Sequence, residues 1–204
     1  MTNKGYNMKL IKGLLTLIGL IVVIAGIIGA VTVGPKIAKL DPKALPEYMK
    51  MFDTVLTTGD PAKGMVRKVK MTIPEGMTKM EAFENAIEIM DEVGSEYGLA
   101  MVDSKTMPRA GKLFKDGGKL THIRSYCSPA IADVFLSHSG EFIGFMPCRI
   151  GFIEDEKGDI YIYTMSMELM INGGQPLPEK LAKLANEVRT GMYTMMEKGA
   201  SGED

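Results

Sequence analysis

The sequence predicts an α+β fold, an antiparallel sheet covered by helices and preceded by a single N-terminal transmembrane helix. Three observations predict it. Residues 13–33 carry no charge. In the rest of the chain, segments whose apolar residues alternate as in strands are interspersed with segments whose apolar residues recur at helical spacing. Two strand segments flank a short turn at 155–158, which is typical of an antiparallel hairpin. No sequence period repeats, which argues against repeat architectures.

The composition narrows the classes of function. The chain has 204 residues, enough for one domain and an appendage. Its 24 basic and 25 acidic residues nearly cancel, so we expect no nucleic-acid partner. Two cysteines are too few for a disulfide scaffold or for a four-thiolate zinc site.

Residues 13–33 predict a helix that spans a membrane. At 1.5 Å per residue it is about 31 Å long, the thickness of the hydrocarbon core of a bilayer. Lysines and no acidic residue precede it, and the lysines that follow it are soon balanced by Asp41 and Glu47. This bias places the N-terminus in the cytoplasm. We therefore expect a single-pass protein of the bacterial inner membrane, with residues 1–12 in the cytoplasm, 13–35 in the bilayer and the C-terminal domain in the periplasm.

A cleaved signal peptide is the alternative. Its apolar region has about 7–15 residues and ends in small residues before the cleavage site. The apolar run here is longer, and Ile-Gly-Ala at 28–30 is a poor cleavage signal. The sequence therefore favours an uncleaved anchor.

The predicted anchor carries a set of small residues. Besides Gly19, it has two pairs of small residues four positions apart, Ala25 with Gly29 and Gly26 with Ala30. Such pairs let two membrane helices approach closely. We therefore predict that these five residues contact a helix of an integral membrane protein. The alternative is that glycine is simply common in membrane helices.

Residues 36–64 predict a connector that contains one amphipathic helix. Asp41-Pro42 predicts the helix start, apolar residues recur at helical spacing up to Leu56, and Thr-Thr-Gly-Asp-Pro at 57–61 ends it. Such a helix packs on the domain, lies on the membrane surface or binds a partner subunit. Packing on the domain is the simplest of the three.

Residues 65–200 predict the α+β domain. A strand at 65–73 precedes a helix at 78–98, which a Thr78–Glu81 capping box begins. An extended segment (99–107), a glycine-rich basic loop (108–119), a strand (120–126), a helix (129–140), the hairpin strands (141–154 and 159–171) and a last helix (178–199) follow. The apolar stripes of the first and last helices include Met90, Met192 and Met195.

The two cysteines, Cys127 and Cys148, are the first candidates for chemistry. In a periplasmic domain they can form a disulfide, but their spacing does not show that they meet, so two separate buried thiols are an alternative. A reactive thiol pair is the third. Cys127 precedes Ser128-Pro129, which predicts a helix start, and the amides of a helix N-terminus favour a thiolate.

Methionine is unusually frequent, with 18 copies. If the residues that flank the 155–158 turn pair with each other, Cys148 faces Met165 and Met146 faces Met167, all on one face of the sheet. Thiol and thioether ligands of this kind select Cu(I). The alternative is a methionine-filled core. No other cofactor is predicted.

The sequence contains no motif typical of catalysis. Nucleophile-elbow, phosphate-loop and zinc-protease motifs are absent. The two histidines lack ligand-pair spacing, and the acids at 154–159 are typical of a solvated hairpin tip. We therefore favour a non-enzymatic function. An enzyme that holds a small ligand between the sheet and loop 108–119 is the weaker alternative.

Four segments of the domain form a recognisable set: Tyr-Cys-Ser-Pro at 126–129, Phe-Met-Pro-Cys-Arg-Ile at 145–150, Ile-Glu-Asp at 153–155 and Tyr-Thr-Met-Ser-Met-Glu-Leu-Met at 163–170. In order and spacing they resemble domain-of-unknown-function family 302. The resemblance covers 65–198 and implies helices on a curved antiparallel sheet. It also implies that Cys127, Cys148 and Arg149 occupy recurring positions, whereas Ser128 and Met146 replace the family's usual asparagine and leucine.

The resemblance implies no reaction. Similar anchored members look like accessory proteins of bacterial membranes. We therefore expect a membrane-anchored accessory or binding subunit that docks onto a larger membrane complex, for example a respiratory one. Arg149 should lie on the face opposite Cys148, where it forms a surface salt bridge or contacts an anion or partner. The alternative function is thiol-redox or Cu(I) chemistry at the cysteines and nearby methionines.

Overall fold

The computed structural model describes residues 4–203. Of the predicted cytoplasmic segment 1–12, residues 1–3 and several side chains, including those of Lys4 and Lys9, lie outside the described part. The chain forms two compact units, residues 1–41 and residues 42–204.

The first unit is helical. It contains α1 (Lys4–Thr32) and α2 (Gly34–Ile37). Among the described residues, Leu10–Ile37 is the one segment long and apolar enough to cross a membrane, and its large apolar side chains are exposed. The N-terminal helix of the predicted fold is therefore present, and it begins before residue 13.

The second unit mixes helices and strands. Its α-helices are α3 (Ala44–Thr58), α4 (Pro61–Met65), α5 (Lys79–Glu96), α6 (Pro129–His138), α7 (Glu168–Asn172) and α8 (Glu179–Ser201). Its strands are β1 (Val66–Lys70), β2 (Ala100–Thr106), β3 (Thr121–Cys127), β4 (Cys148–Glu154) and β5 (Ile160–Met165). Short 3₁₀ helices lie at Phe114–Asp116 and Gly140–Phe145.

The five strands form one antiparallel sheet in the order β1-β5-β4-β3-β2. One face packs against helices: Ile150 and Phe152 of β4 are fully buried in a core that includes Phe83 of α5 and Met192 of α8. The opposite face carries half-buried side chains such as Tyr163. The predicted α+β fold with an antiparallel sheet is confirmed.

The helices α5 and α8 form where the sequence predicts them. The Glu81 amide donates to the Thr78 hydroxyl (3.2 Å), and the Thr78 amide donates to the Glu81 carboxylate (2.7 Å), which completes the capping box. Gly191 of α8 lies so close to Tyr97 that an added Cβ would be 2.8 Å from the Tyr97 Cβ. A glycine at this position therefore allows the two segments to pack closely.

The predicted hairpin is present, with different boundaries. Gly140–Phe145 is a 3₁₀ helix rather than a strand. The strand β4 begins directly after Pro147, which has no amide hydrogen for a sheet ladder. The strand β5 ends at Met165, where the chain turns towards α7.

The pairing of β4 with β5 is shifted by one residue from the predicted register. Glu154 pairs with Ile160 because the turn closes on Asp155. The Asp155 amide donates to the Asp159 carbonyl (2.8 Å), and the Asp155 carboxylate accepts from the amides of Lys157 and Asp159 (2.9 Å each). The predicted cross-strand pairs of sulfur residues are therefore wrong, since a shift of one residue moves side chains to the other face.

The acidic turn is held by basic residues. Glu154 is buried, and its carboxylate accepts from Lys79 Nζ (2.5 Å) and from the Leu120 amide (3.1 Å). Lys119, at the end of the 108–119 loop, donates to the Glu156 carboxylate (2.5 Å). The interpretation of these acids as a solvated hairpin tip is therefore wrong for Glu154, which ties the turn to α5 and β3.

The connector helix α3 packs on the second unit by one face. The Tyr48 hydroxyl donates to the Gly173 carbonyl (3.0 Å). Val55 and Met51 lie against Gly64 of α4, where an added Cβ would be 2.9 Å from the Val55 side chain. The simplest of the three alternatives for this helix, packing on the domain, therefore holds for this face, while its other face is exposed.

Candidate functional site

Cys127 and Cys148 lie beside each other at one end of the sheet. Cys127 is the last residue of β3, Cys148 is the first of β4, and the register places Tyr126 opposite Cys148. Both cysteines are free thiols, and both line the same cavity. The predicted helix start after Cys127 is present, with Ser128 at the N-cap and Pro129 as the first residue of α6.

The cavity lies between this end of the sheet and the surrounding helices α6, α7 and α8. Apolar side chains form most of its wall, including Phe135 and Phe142, whose ring centroids are 5.0 Å apart. Its volume is about 50 Å³, well below the roughly 300–1,000 Å³ of pockets for organic ligands. The space therefore suits a single ion better than an organic cofactor.

Five of the residues that line this cavity have sulfur in their side chains: Cys127, Met146, Cys148, Met167 and Met170. They lie at the end of β3, at the start of β4, in the segment after the 3₁₀ helix, and in the segment that runs from Met167 into α7. Three of the four predicted metal ligands are among them. The cavity thus collects both thiols of the chain and three thioethers.

Met165, the fourth predicted metal ligand, does not line this cavity. It pairs with Val66 of β1 and is 39% exposed on the open face of the sheet. There it lines an adjoining groove of about 290 Å³, together with Cys148 and Met167. The one-residue shift in register is the reason, so the predicted four-sulfur face does not form.

Met170 was not among the predicted ligands, because the sequence predicts a strand up to residue 171. The chain instead turns into α7, where the Ser166 and Tyr193 hydroxyls donate to the Glu168 carboxylate (2.7 and 2.8 Å). Glu168 lies in the first turn of α7. An acidic residue in that position is the one helix-start signal that the sequence offers here.

Burial sets the chemistry of Cys148. Removal from water, and to a smaller extent the neighbouring Cys127, raises the pKa of Cys148 to about 11. At neutral pH this thiol is therefore protonated. The arrangement does not make Cys148 a thiolate nucleophile, but a metal ion can displace its proton.

A partly buried polar network behind the cavity was not predicted. The Tyr126 hydroxyl donates to the Asp91 carboxylate (2.9 Å) and accepts from Arg124 Nε (2.9 Å), while Arg124 is also paired with Asp91. Burial raises the pKa of Tyr126. Because Asp91 and Arg124 engage the hydroxyl, the tyrosine offers the cavity its apolar ring. An arginine at an inward position of a strand is the sequence signal for such a network.

The histidines take no part in the site. His122 is buried between the hydroxyls of Ser104 (3.1 Å) and Thr106 (2.8 Å), and burial lowers its pKa. His138 ends α6. Within residues 4–203, no group of three or more His, Cys, Asp or Glu side chains is placed to hold a metal ion. Any metal in the cavity would therefore depend on methionine ligands.

The predicted partner contacts lie elsewhere. Gly19, Gly26 and Gly29 face open space, with nothing in the described chain within 4 Å of an added Cβ. Ala30 is exposed, and Ala25 lies on the same exposed helix. Arg149 is exposed on the face opposite the helices and forms no ion pair within the described residues. A surface salt bridge is therefore not its role in this structure.

Comparisons with known proteins give one family. The family described as "Domain of unknown function DUF302" matches residues 77–199. The crystal structure of an uncharacterized conserved protein DUF302 from Bacillus stearothermophilus is similar, at 16% identity and a TM-score of 0.46, covering 65% of this chain and 96% of the other. A search of curated proteins found no match.

Proposed function

The chain belongs to the DUF302 family, and from that premise we propose that it is a membrane-anchored binding subunit whose cavity takes up Cu(I). The helix α1 would hold the chain in the bacterial inner membrane, with residues 1–12 in the cytoplasm. The second unit would face the periplasm and present the sulfur-lined cavity. The observation that carries this proposal is the convergence of five sulfur side chains on one cavity of about 50 Å³.

The ligand chemistry favours a soft monovalent ion. Thiol and thioether sulfur select Cu(I), whereas carboxylates, carbonyls and water suit harder ions such as Mg²⁺ and Ca²⁺. The walls of the cavity are mostly apolar, so a bound ion would lose its water. A net charge is costly in such surroundings. One thiolate with thioether ligands, which gives a neutral complex with Cu(I), is therefore favoured over two thiolates.

The proton balance follows from this ligand set. Binding would release one proton to solvent from a cysteine, with no change in oxidation state. Because the ion competes with a proton, and because the pKa of Cys148 is about 11, the apparent Cu(I) affinity should rise with pH between pH 6 and pH 9.

Competition against a coloured Cu(I) chelator tests the proposal. The full chain in detergent, kept reduced, should take up one equivalent of Cu(I). Cys148→Ala should abolish uptake, and Met170→Leu, which keeps the side-chain volume, should weaken it about tenfold or more. Met165→Leu and Met195→Leu are the matched controls, since these methionines lie outside the cavity. Absence of stoichiometric uptake, or equal loss in the controls, would overturn it.

A second function, docking onto a larger membrane complex such as a respiratory one, is favoured by a different observation. Gly19, Gly26 and Gly29 leave a helix surface without side chains, and Gly19 and Gly26 lie two turns apart on one face of α1. Close approach of a partner helix at such a surface is the basis of many membrane-helix pairs. Arg149, which is exposed and forms no ion pair with the residues that the structure describes, is a candidate contact for the periplasmic part of the same partner.

Purification in mild detergent tests this second function. The wild-type chain should co-purify with an integral membrane protein, and Gly26→Leu should reduce the yield of that partner. Gly13→Leu is the control, because residue 13 lies about 140° away around the helix. Recovery of monomer alone would contradict it. Protease added to spheroplasts should digest the second unit, and resistance there would contradict the periplasmic orientation.

A further inference from the structure

The helix α3 presents a stripe of large apolar side chains to solvent. Leu45, Met49, Phe52 and Leu56 are 56%, 62%, 53% and 83% exposed. Their spacing of four, three and four residues puts them within about 60° around the helix axis. We refer to these four residues as the α3 stripe.

The side of α3 next to the stripe packs on the domain, so the stripe is a fixed feature of the surface. Ala44 is fully buried at the start of the helix. Tyr48 is tied to the Gly173 carbonyl, and Val55 lies against Gly64 of α4. Single exposed apolar residues need no explanation, but a continuous stripe marks an interaction surface.

We propose that the α3 stripe lies in the interface of the membrane that α1 spans, with its side chains between the headgroups and the acyl chains. The proposal rests on the membrane anchoring proposed above. A helix with one apolar face and one packed or polar face binds membranes in this way, with the apolar face about 5–10 Å deep.

The length of the chain between the two helices supports a lipid occupant. The apolar segment ends at Ile37 and α3 begins at Ala44. Seven peptide steps span at most about 25 Å, so α3 cannot leave the neighbourhood of the membrane surface. Lipid is therefore available to the stripe at all times, whereas a protein partner is available only when it is bound.

The charges around α3 indicate which force would hold it. Residues 36–58 contain four lysines, Lys36, Lys39, Lys43 and Lys50, and the three acids Asp41, Glu47 and Asp53. Their sum is close to neutral. Apolar burial, rather than attraction to anionic headgroups, would therefore hold the helix, and its insertion should depend little on the fraction of anionic lipid.

The absence of tryptophan from the chain makes a direct test available. Phe52→Trp introduces one tryptophan into the stripe of the full chain, reconstituted in vesicles that contain lipids brominated at shallow or deep acyl positions. We expect strong quenching of its fluorescence, stronger with shallow than with deep bromine. Leu56→Trp, at the most exposed position of the stripe, is a second variant in case the first disturbs folding.

Two further variants complete the test. Thr57→Trp, about 140° from Phe52 on the same helix and exposed, should be quenched little. Val22→Trp, in α1, should be quenched best by deep bromine, and lack of quenching there would overturn the anchoring itself. If V22W is quenched but F52W and L56W are no more quenched than T57W, only the present inference is overturned. Blue-shifted emission from F52W without quenching would place the stripe against a second copy of the chain rather than lipid, and would also overturn it.

Discussion

Two methionine-rich regions of the domain differ in how completely their methionines are packed. Between α5 and α8, Met90, Met192, Met195 and Met196 are fully buried. Around the cavity, Met146, Met167 and Met170 line an open volume of about 50 Å³ beside two thiols. The same residue type therefore fills the core in one region and lines an open volume in the other. The number of methionines alone does not distinguish the two.

Glycine explains why the first region packs so tightly. An added Cβ at Gly199 would lie 2.6 Å from Met90 Cε, and one at Gly94 would lie 3.1 Å from Met195 Cε. The helices approach where a side chain is missing, and flexible methionine side chains fill the irregular space that remains. At the cavity, strand ends and the helices α6, α7 and α8 surround the space instead, and their side chains do not fill it.

The largest expected effect is the difference in the free energy of unfolding between methionine-to-alanine substitutions in the two regions. Met195→Ala removes a fully buried side chain and should lower the free energy of unfolding by about 2–5 kcal/mol. Met146 is only partly buried and lies beside an existing cavity. Met146→Ala should therefore cost less than about 2 kcal/mol, because it removes fewer packing contacts. Urea denaturation of the detergent-solubilised chain measures both values. Equal losses would mean that the cavity is packed as fully as the α5–α8 interface.

The second effect concerns the cavity alone. Because the pKa of Cys148 is about 11 rather than 9, its thiolate fraction at pH 8 should be about 100-fold lower than that of an ordinary cysteine. In the Cys127→Ala variant, the rate of alkylation by iodoacetamide should rise tenfold per pH unit up to about pH 11. Cys127→Ala also removes the smaller of the two causes of the shift. A rate that levels off by pH 9 would contradict the burial of this thiol.

The same shift fixes the sign of the effect of pH on stability. The folded state holds the Cys148 proton more tightly than the unfolded state. The contribution of the protonated thiol to the free energy of unfolding is therefore complete below about pH 9 and is lost as the pH rises towards 11. Tyr193, whose pKa burial raises to about 12, acts in the same direction at higher pH. Comparison of the wild type with Cys148→Ala isolates the contribution of the thiol.

The sequence predicts the packed region better than the cavity. Met90, Met192 and Met195 lie on helical stripes, and a helical period is read from one segment at a time. The identity of the cavity residues depends instead on strand register, which Asp155 shifts by one position through its bonds within the turn. A local pattern of apolar residues contains no information about such a shift.

Other parts of the site depend on contacts that are distant in sequence. Met170 reaches the cavity because α7 replaces the predicted end of β5, and Glu168 is fixed there by the Tyr193 hydroxyl of α8. The network of Asp91 with Arg124 and Tyr126 joins α5 to β3. The position of Met170 and this network both depend on helices packed against the sheet. The sequence therefore shows the residue types but does not predict that these side chains are in contact.

The smallest expected effect tests the difference in packing with one methyl group. At Gly191, a Cβ would lie 2.8 Å from both Cβ and Cγ of Tyr97. Since Cβ of Tyr97 cannot move without the backbone, overpacking should cost about 1–3 kcal/mol. Replacing a helical glycine by alanine gains up to about 1 kcal/mol, and the net loss for Gly191→Ala should be about 1 kcal/mol. At Gly144, in the 3₁₀ helix beside the cavity, no atom of the described residues lies within 4 Å of an added Cβ. Gly144→Ala should therefore change the free energy of unfolding by less than about 0.5 kcal/mol. Urea denaturation measures both variants. Equal losses at Gly144 and Gly191 would show that the two regions do not differ in free space.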